Sequence, residues 1–277
     1  MPTLFCVFLA ATADEPRLLK CLFKPGDSAK YVQTVRMTTT GKKTGKGKAA
    51  DETVIEIKIA TTWKVHAVGA DGSADLGQTI TRIRLTQKRG GEEDVADSGN
   101  DDASPAVREF LDDLIKNELR MKMRSTGEIT DVVLPTRISE RLKKGLPDKP
   151  ELTEQVLTQM IKKSGFILPD FALDVGRSWP GATILSAGMP LETTYLMKYE
   201  GFAEHEGRKV LKLALATDQD SKGKTKSGPP KTTEGEALLD PVTCWPIEVV
   251  ERHSLTLGPR TGSQLVFESE LRRKDPK

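Results

Sequence analysis

The chain has 277 residues, enough to bury a real core in one large β domain or two modest ones. Charged residues make up 30% and the hydrophobic set 37%, and a formal net charge of only +2 argues against a nucleic-acid binder. No stretch approaches the roughly 18 to 20 apolar residues of a membrane-spanning helix.

The N-terminus differs from the rest. Leu4-Phe5-Cys6-Val7-Phe8-Leu9-Ala10-Ala11 is a short apolar run, followed by Thr12-Ala13 and then Asp14-Glu15-Pro16. A short apolar core and an A-x-A site make residues 1–13 a secretory signal peptide cut after Ala13, although the charged leading segment is missing. A first buried strand is the alternative. Export to the periplasm or cell envelope leaves Cys21 and Cys244 as candidate disulfide partners, or as ordinary buried thiols.

Period-two alternation, the mark of strands with one buried and one wet face, dominates the remaining sequence. Leu19, Cys21 and Phe23 suggest a short strand ended by Lys24-Pro25-Gly26-Asp27, and Tyr31, Val35 and Met37 a longer one. Ile55, Ile57, Ile59, Trp63, Val65 and Ala67 share one face, opposite Glu56, Lys58, Thr62, Lys64 and His66. Asp71-Gly72 turns the chain into a strand over about 74–87. There Leu76 and Ile80 share a phase but Ile83 and Leu85 take the other, which a β-bulge near Thr81-Arg82 would reconcile while curving the sheet.

Ser104 and Pro105 start a helix carrying Val107, Phe110, Leu111, Leu114 and Ile115 at helical spacing. A hairpin comes next: Leu119, Met121 and Met123, a turn at Thr126-Gly127, then 129–134. Two more helices are predicted, one over 136–144 and one after Pro150 bearing Leu152, Val156, Met160 and Ile161. Alternation then resumes in Tyr195-Met197-Tyr199, Leu211-Leu213-Leu215, Trp245-Ile247-Val249 and Leu265-Phe267-Leu271. Residues 14–277 therefore read as a single β-rich domain, mainly β with helices (α+β). It is a curved antiparallel sheet or unclosed half-barrel of about eleven strands with a helical insertion: an N-terminal meander (18–134), a helical segment (136–164) and a C-terminal meander (166–273).

Three connections are low in complexity. Residues 41–51 carry Lys42, Lys43, Lys46 and Lys48; residues 218–233 carry Lys222, Lys224, Lys226 and Lys231; residues 90–104 are acidic. All-antiparallel pairing sends both basic loops to one end of the sheet, as a weak contact for an anionic envelope surface or simply as solvated loop tips.

No catalytic apparatus emerges. His66, His205 and His253 are expected at the surface, and no G-x-S-x-G elbow, Walker loop or dinucleotide fingerprint occurs. Asp97 to Asp102 lacks the ligand spacing of an EF-hand. No metal, cofactor or enzymatic activity is expected. What stands out is the apolar phase of the strands: Tyr31, Trp63, Tyr195, Met197 and Trp245 are expected on the concave side. Aromatic and Met linings suit an apolar or lipid-like ligand. The other reading packs these side chains on the helical stripes, leaving a structural or protein-interaction module of the envelope.

The segment Leu168-Pro169-Asp170-Phe171-Ala172-Leu173-Asp174-Val175-Gly176-Arg177-Ser178-Trp179 resembles an uncharacterised family of secreted bacterial β-rich proteins that carries Leu-Pro, a spacer and Val-Gly-x-Ser-Trp. Phe23-Lys24-Pro25-Gly26-Asp27, Thr62-Trp63-Lys64-Val65, Ser125-Thr126-Gly127-Glu128-Ile129 and Glu206-Gly207-Arg208-Lys209-Val210 are similar to its turns. The resemblance implies a fold and no catalytic residues. It expects a glycine-bearing turn after Asp240-Pro241, where this chain has Val242-Thr243-Cys244-Trp245-Pro246. The strand count with interposed helices is also similar in architecture to periplasmic lipoprotein carriers, an unclosed barrel around an apolar cavity.

Overall fold

The computed structural model describes residues 16–41, 52–99, 112, 114, 115, 117–144, 153–162, 166–186, 190–217, 231–257 and 263–274. Its elements are β1 (Ser28–Thr40), β2 (Glu52–Val68), β3 (Ala74–Arg89), β4 (Glu92–Asp97), β5 (Glu118–Met123), β6 (Ile129–Val133), α1 (Thr136–Lys144) and α2 (Glu154–Lys162). The second half adds β7 (Ser178–Ser186), β8 (Pro190–His205), β9 (Arg208–Thr217), β10 (Lys231–Leu239), β11 (Pro246–Leu257) and β12 (Ser263–Lys274). Residues 1–13, expected to be a signal peptide, the basic clusters at Lys42–Lys48 and Lys222–Lys226, and most of the helix expected from Ser104 lie outside the described residues.

All these strands join one open sheet in the order β6-β5-β3-β2-β1-β12-β11-β10-β9-β8-β7, with β4 also on β3. Every pairing within it is antiparallel. The chain meanders outward from β1 to β6, crosses to the far edge at β7, and meanders back until β12 pairs with β1. The first and last strands thus close the middle of the sheet, Tyr31 opposite Arg273 and Thr40 opposite Gln264. The segment between β6 and β7 must travel from one edge to the other, and α1 and α2 lie in it.

The phase break in β3 is a bulge. Ala60 pairs Arg82 and Thr61 pairs Ile80, so Thr81 is the extra residue, and its hydroxyl donates to the Ala60 carbonyl at 3.1 Å. Four further register shifts leave His66, Thr130, Glu200 and Ile247 without a one-to-one partner. These four stand within a few residues of the turns at 69–73, 124–128, 206–207 and 240–245. Bulges add twist and bend, so the sheet curls most at the end bearing those turns. The strand ends flanking the two basic connections sit at the opposite end, because Thr40 pairs Glu52 while Lys231 pairs Leu255 beside Gln264.

Several expectations need correction. Leu19 to Phe23 forms no strand; the stretch runs as an irregular strap, with Leu19 and Cys21 buried. Ala67 is exposed, because the bulge at His66 flips the phase after Val65. Acidic residues Glu92, Glu93, Asp94 and Asp97 are not loop but strand β4, tied to β3 by Lys88–Glu93 at 2.9 Å and Arg82–Asp97 at 2.8 Å. His253 is not at the surface. It shares parity with Val249 and Leu255 on the inner face and is 1% exposed, with its Nδ1 3.0 Å from the Thr233 hydroxyl. Trp245 is buried but precedes β11, within the turn.

Two clusters share the inner face at the curled end. One gathers Leu19, Leu168, Leu173, Trp179, Tyr195, Met197, Tyr199 and the β9 leucines. The other gathers Tyr31, Val65, Leu76, Met121, Met123, Ile129 and Trp245. Phe23 and Leu271 pack against both.

Candidate functional site

Two irregular straps and one helix close the curled end. The N-terminal strap is stitched along its length by backbone hydrogen bonds: Arg17 N–H to Leu173 O at 2.9 Å, Leu22 N–H to Thr243 O at 3.1 Å and Gly26 N–H to Val65 O at 2.9 Å. The second strap donates Leu168 N–H to Thr126 O at 2.7 Å and accepts, at Ile167 O, the Trp179 indole N–H at 2.9 Å. Gly127 is required where this strap meets the β5–β6 turn. Its φ is +84°, and a Cβ there would run into the Phe166 carbonyl oxygen.

The position where a glycine is expected after Asp240-Pro241 is taken by Cys244, which adopts φ +54°. Asp240 offsets the strain locally: its carboxylate accepts from Val242 and Thr243 N–H at 3.0 and 2.9 Å, and its backbone bonds Cys244 and Trp245. The turn thereby presses Trp245 inward rather than letting it continue the strand.

Beneath these closures lies an apolar cavity of about 450 Å³. Strands β1, β2, β3 and β5 supply Tyr31, Trp63, Leu76 and Met121; α2 supplies Leu157, Met160 and Ile161; the straps supply Cys21, Phe23, Phe166 and Leu168. Among the described residues, none that line it is charged. The rings are organised: Tyr31 meets Trp63 edge to face at 5.7 Å between centroids, and Phe23 tilts onto Trp245 at 6.3 Å. The helix contributes a half-buried wall, since none of its side chains is fully buried.

Of the five residues expected on the concave side, the structure places Tyr31, Trp63 and Trp245 on the cavity wall. Tyr195 and Met197 lie beside it in the neighbouring cluster with Trp179. Cys21 and Cys244 are free thiols, and both border the cavity. Burial and the neighbouring Cys244 push the Cys21 thiol up to about 12, and burial pushes Cys244 up to about 11. Both are therefore protonated, unreactive thiols at neutral pH. Burial also raises the Tyr31 phenol, which keeps its proton. The strap residues Phe166 and Leu168 and the helix residue Leu157 are not legible as lining in the sequence, since irregular segments carry no periodicity and a short helix does not show what it faces.

The histidines are engaged away from the cavity: His66 with Glu118 at 2.8 Å, His205 with Glu248 at 3.4 Å, and His253 with Thr233 and, at 3.3 Å, Glu251. Among the described residues no group of three potential metal ligands comes together, and no helix is long and apolar enough to cross a membrane.

No curated protein matches the chain. Among solved structures, the fold is similar to a chain described as "lipid-protein interactions in lipovitellin", with a TM-score of 0.57 at 11% identity over 91% of this chain. This chain spans only 25% of that lipovitellin chain. A DUF1329 family protein from Desulfovibrio piger (11% identity, 90% and 88% of the two chains, TM-score 0.19) and a LolA superfamily protein from Nitrosomonas europaea (12%, 93% and 90%, TM-score 0.17) are also similar, at scores too low to compare architecture. At the level of sequence families, residues 71–206, a stretch that includes the Leu-Pro to Ser-Trp segment, match the family of unknown function DUF6263.

Proposed function

We propose that this protein is an exported, non-catalytic envelope protein that holds an apolar, lipid-like ligand in the cavity between the curled end of the sheet, the two straps and α2. The observation that carries the reading is the cavity itself. Its volume of about 450 Å³ falls within the usual range for small-molecule pockets, and uncharged, largely apolar and aromatic side chains line it. Interiors normally close such volumes by packing; here Met121, Met123 and Met160, the most adaptable apolar side chains, border it instead. The similarity to a solved chain described by its lipid–protein interactions supports the same reading. A wall of uncharged side chains favours binding over proton-transfer chemistry. The strand ends that flank the two basic connections stand at the other end of the sheet from the cavity, which is compatible with a weak contact of those connections with an anionic surface.

The test is titration with the apolar dye N-phenyl-1-naphthylamine. The native chain should bind it with an emission rise, and Met160→Glu should weaken binding by about tenfold or more, since a carboxylate then faces an apolar wall. Met160 is only half-buried, so the variant should keep its fold. Equal dye binding by the native chain and the variant would contradict the assignment of this cavity.

A further inference from the structure

Nine large hydrophobic side chains stand exposed among the described residues, and six of them sit on the segments that close the curled end. Leu18 and Leu22 belong to the N-terminal strap, Ile167, Phe171 and Val175 to the second strap, and Val242 to the turn after β10. The other three are spread over β4, β6 and β11, as single exposed side chains normally are. Backbone hydrogen bonds hold the closing segments side by side. Leu173 N–H donates to Arg17 O at 2.8 Å, joining the straps beside Leu18 and Phe171, and Leu22 N–H donates to Thr243 O at 3.1 Å, joining Leu22 to the turn that carries Val242. The Arg17 guanidinium also donates to Pro241 O at 3.2 Å.

The straps form a thin cover. Cys21, Phe23 and Leu168 line the cavity from within, while their chain neighbours Leu22 and Ile167 are 52% and 44% exposed. Closing the cavity requires apolar side chains on the inner side alone, so the outer ones need another reason, and a gathered apolar patch marks an interaction surface. Cations are interleaved with it. Arg17, Lys20 and Lys24 are exposed on the N-terminal strap, which carries no acidic residue from Arg17 to Gly26. On the second strap Arg177 lies 5.7 Å from the Phe171 ring. The acids on that strap are Asp170 and Asp174; of those on the adjoining turns, Asp240 lies 3.9 Å from Arg273 and Glu128 2.7 Å from Arg124. Apolar tips among lysine and arginine suit the headgroup layer of a membrane, where the tips enter the acyl boundary and the long basic stems keep their charge among phosphates. The core of a protein interface, by contrast, is depleted of lysine.

We propose that the outer surface of the two straps and the 240–245 turn docks the protein on an anionic lipid bilayer. The cavity then lies one strap away from the lipid. This surface is separate from the basic connections, whose flanking strand ends stand at the other end of the sheet. Docking does not require the cavity to hold a ligand.

The test is co-sedimentation with vesicles of the chain and its variants, all purified from the same cell. The native chain should pellet with phosphatidylethanolamine–phosphatidylglycerol vesicles, less with phosphatidylcholine alone, and less as salt rises. Leu22→Ser combined with Val242→Ser should weaken binding by about tenfold or more, and Phe171→Ser should weaken it independently from the other strap. These side chains are exposed and Leu22 is held through its backbone, so the variants should melt like the native chain. Without vesicles they should also bind N-phenyl-1-naphthylamine as it does. Lys42→Ser, Lys43→Ser, Lys46→Ser and Lys48→Ser together should leave most of the vesicle binding in place. Absence of vesicle binding, equal binding by the strap variants, or loss confined to the lysine variant would each overturn the proposal. So would a dimer in free solution that the strap substitutions dissolve while vesicle binding is unchanged, which would make the patch an interface between copies. Loss of dye binding with vesicle binding intact would remove the cavity reading and leave this surface standing.

Discussion

Gly127, Cys21 and Cys244 show how local chemistry shapes the closed end. Gly127 combines left-handed backbone with a neighbouring carbonyl where a side chain would sit. Gly127→Ala should therefore cost at least about 2 kcal/mol, more than the backbone strain alone, and a denaturant melt reads it directly. The cavity thiols give a pH signature. Cys21 and Cys244 titrate near 9.0 when unfolded and are raised by burial to about 12 and about 11 when folded. Their contribution to stability is complete below about pH 9 and lost as pH climbs toward the folded values, because the unfolded chain releases protons first. Melting temperature should hold from pH 7 to 8.5 and drop by pH 10, with a smaller drop in the Cys21→Ala, Cys244→Ala double variant. Iodoacetamide at pH 8 should leave both thiols unmodified until urea is added. Part of this is legible in the sequence: both cysteines sit in apolar context. Their meeting at one wall is not, because it depends on a strap without periodicity pairing Leu22 with Thr243.

Elements are readable in proportion to their alternation. The break between Ile80 and Ile83 locates the bulge at Thr81, because a period-two pattern has no other way to change phase without ending the strand. The bulge at His66 is hidden, since Ala67 is small enough to sit on either face. Strand β4 (Glu92, Glu93, Asp94) is hidden by charge, the usual dress of an edge strand. Strand β10 has apolar residues only at Ala237, Leu238 and Leu239. The α2 helix is the least anchored wall of the cavity, nine residues with no fully buried side chain. Helices this short need packing to persist. Its amides should exchange with deuterium far faster than those of β1 and β12, which pair on both sides. Adding a bound ligand should slow α2 selectively, as Leu157, Met160 and Ile161 gain contacts. Uniform protection across helix and sheet in the ligand-free chain would argue for a packed lid instead.

The whole molecule is a sheet that remains open because its ends are strands β6 and β7, at opposite edges, joined by a segment crossing between them. The division into two meanders by a helical segment is legible in the sequence; the edge-to-edge crossing and the pairing of β12 with β1 are not, because they depend on which strands meet. The position of the cavity is not, because it depends on four bulges concentrated at one end, only visible once registers are known. Strand phase puts Tyr31, Trp63, Tyr195 and Met197 on one face, but it does not separate Tyr31 and Trp63 on the wall from Tyr195 and Met197 in the core beside it, and Trp245 reaches the wall from a turn, where phase does not apply. Whether the cavity is a ligand site is decided by native mass spectrometry of the chain freshly purified from its own cell, alongside a solvent extract of the same sample. The expected species is a chain beginning at Asp14 that carries one non-covalent apolar, lipid-like ligand, whose mass reappears in the extract. A ligand-free mass, an empty extract and no uptake of added N-phenyl-1-naphthylamine would overturn the assignment.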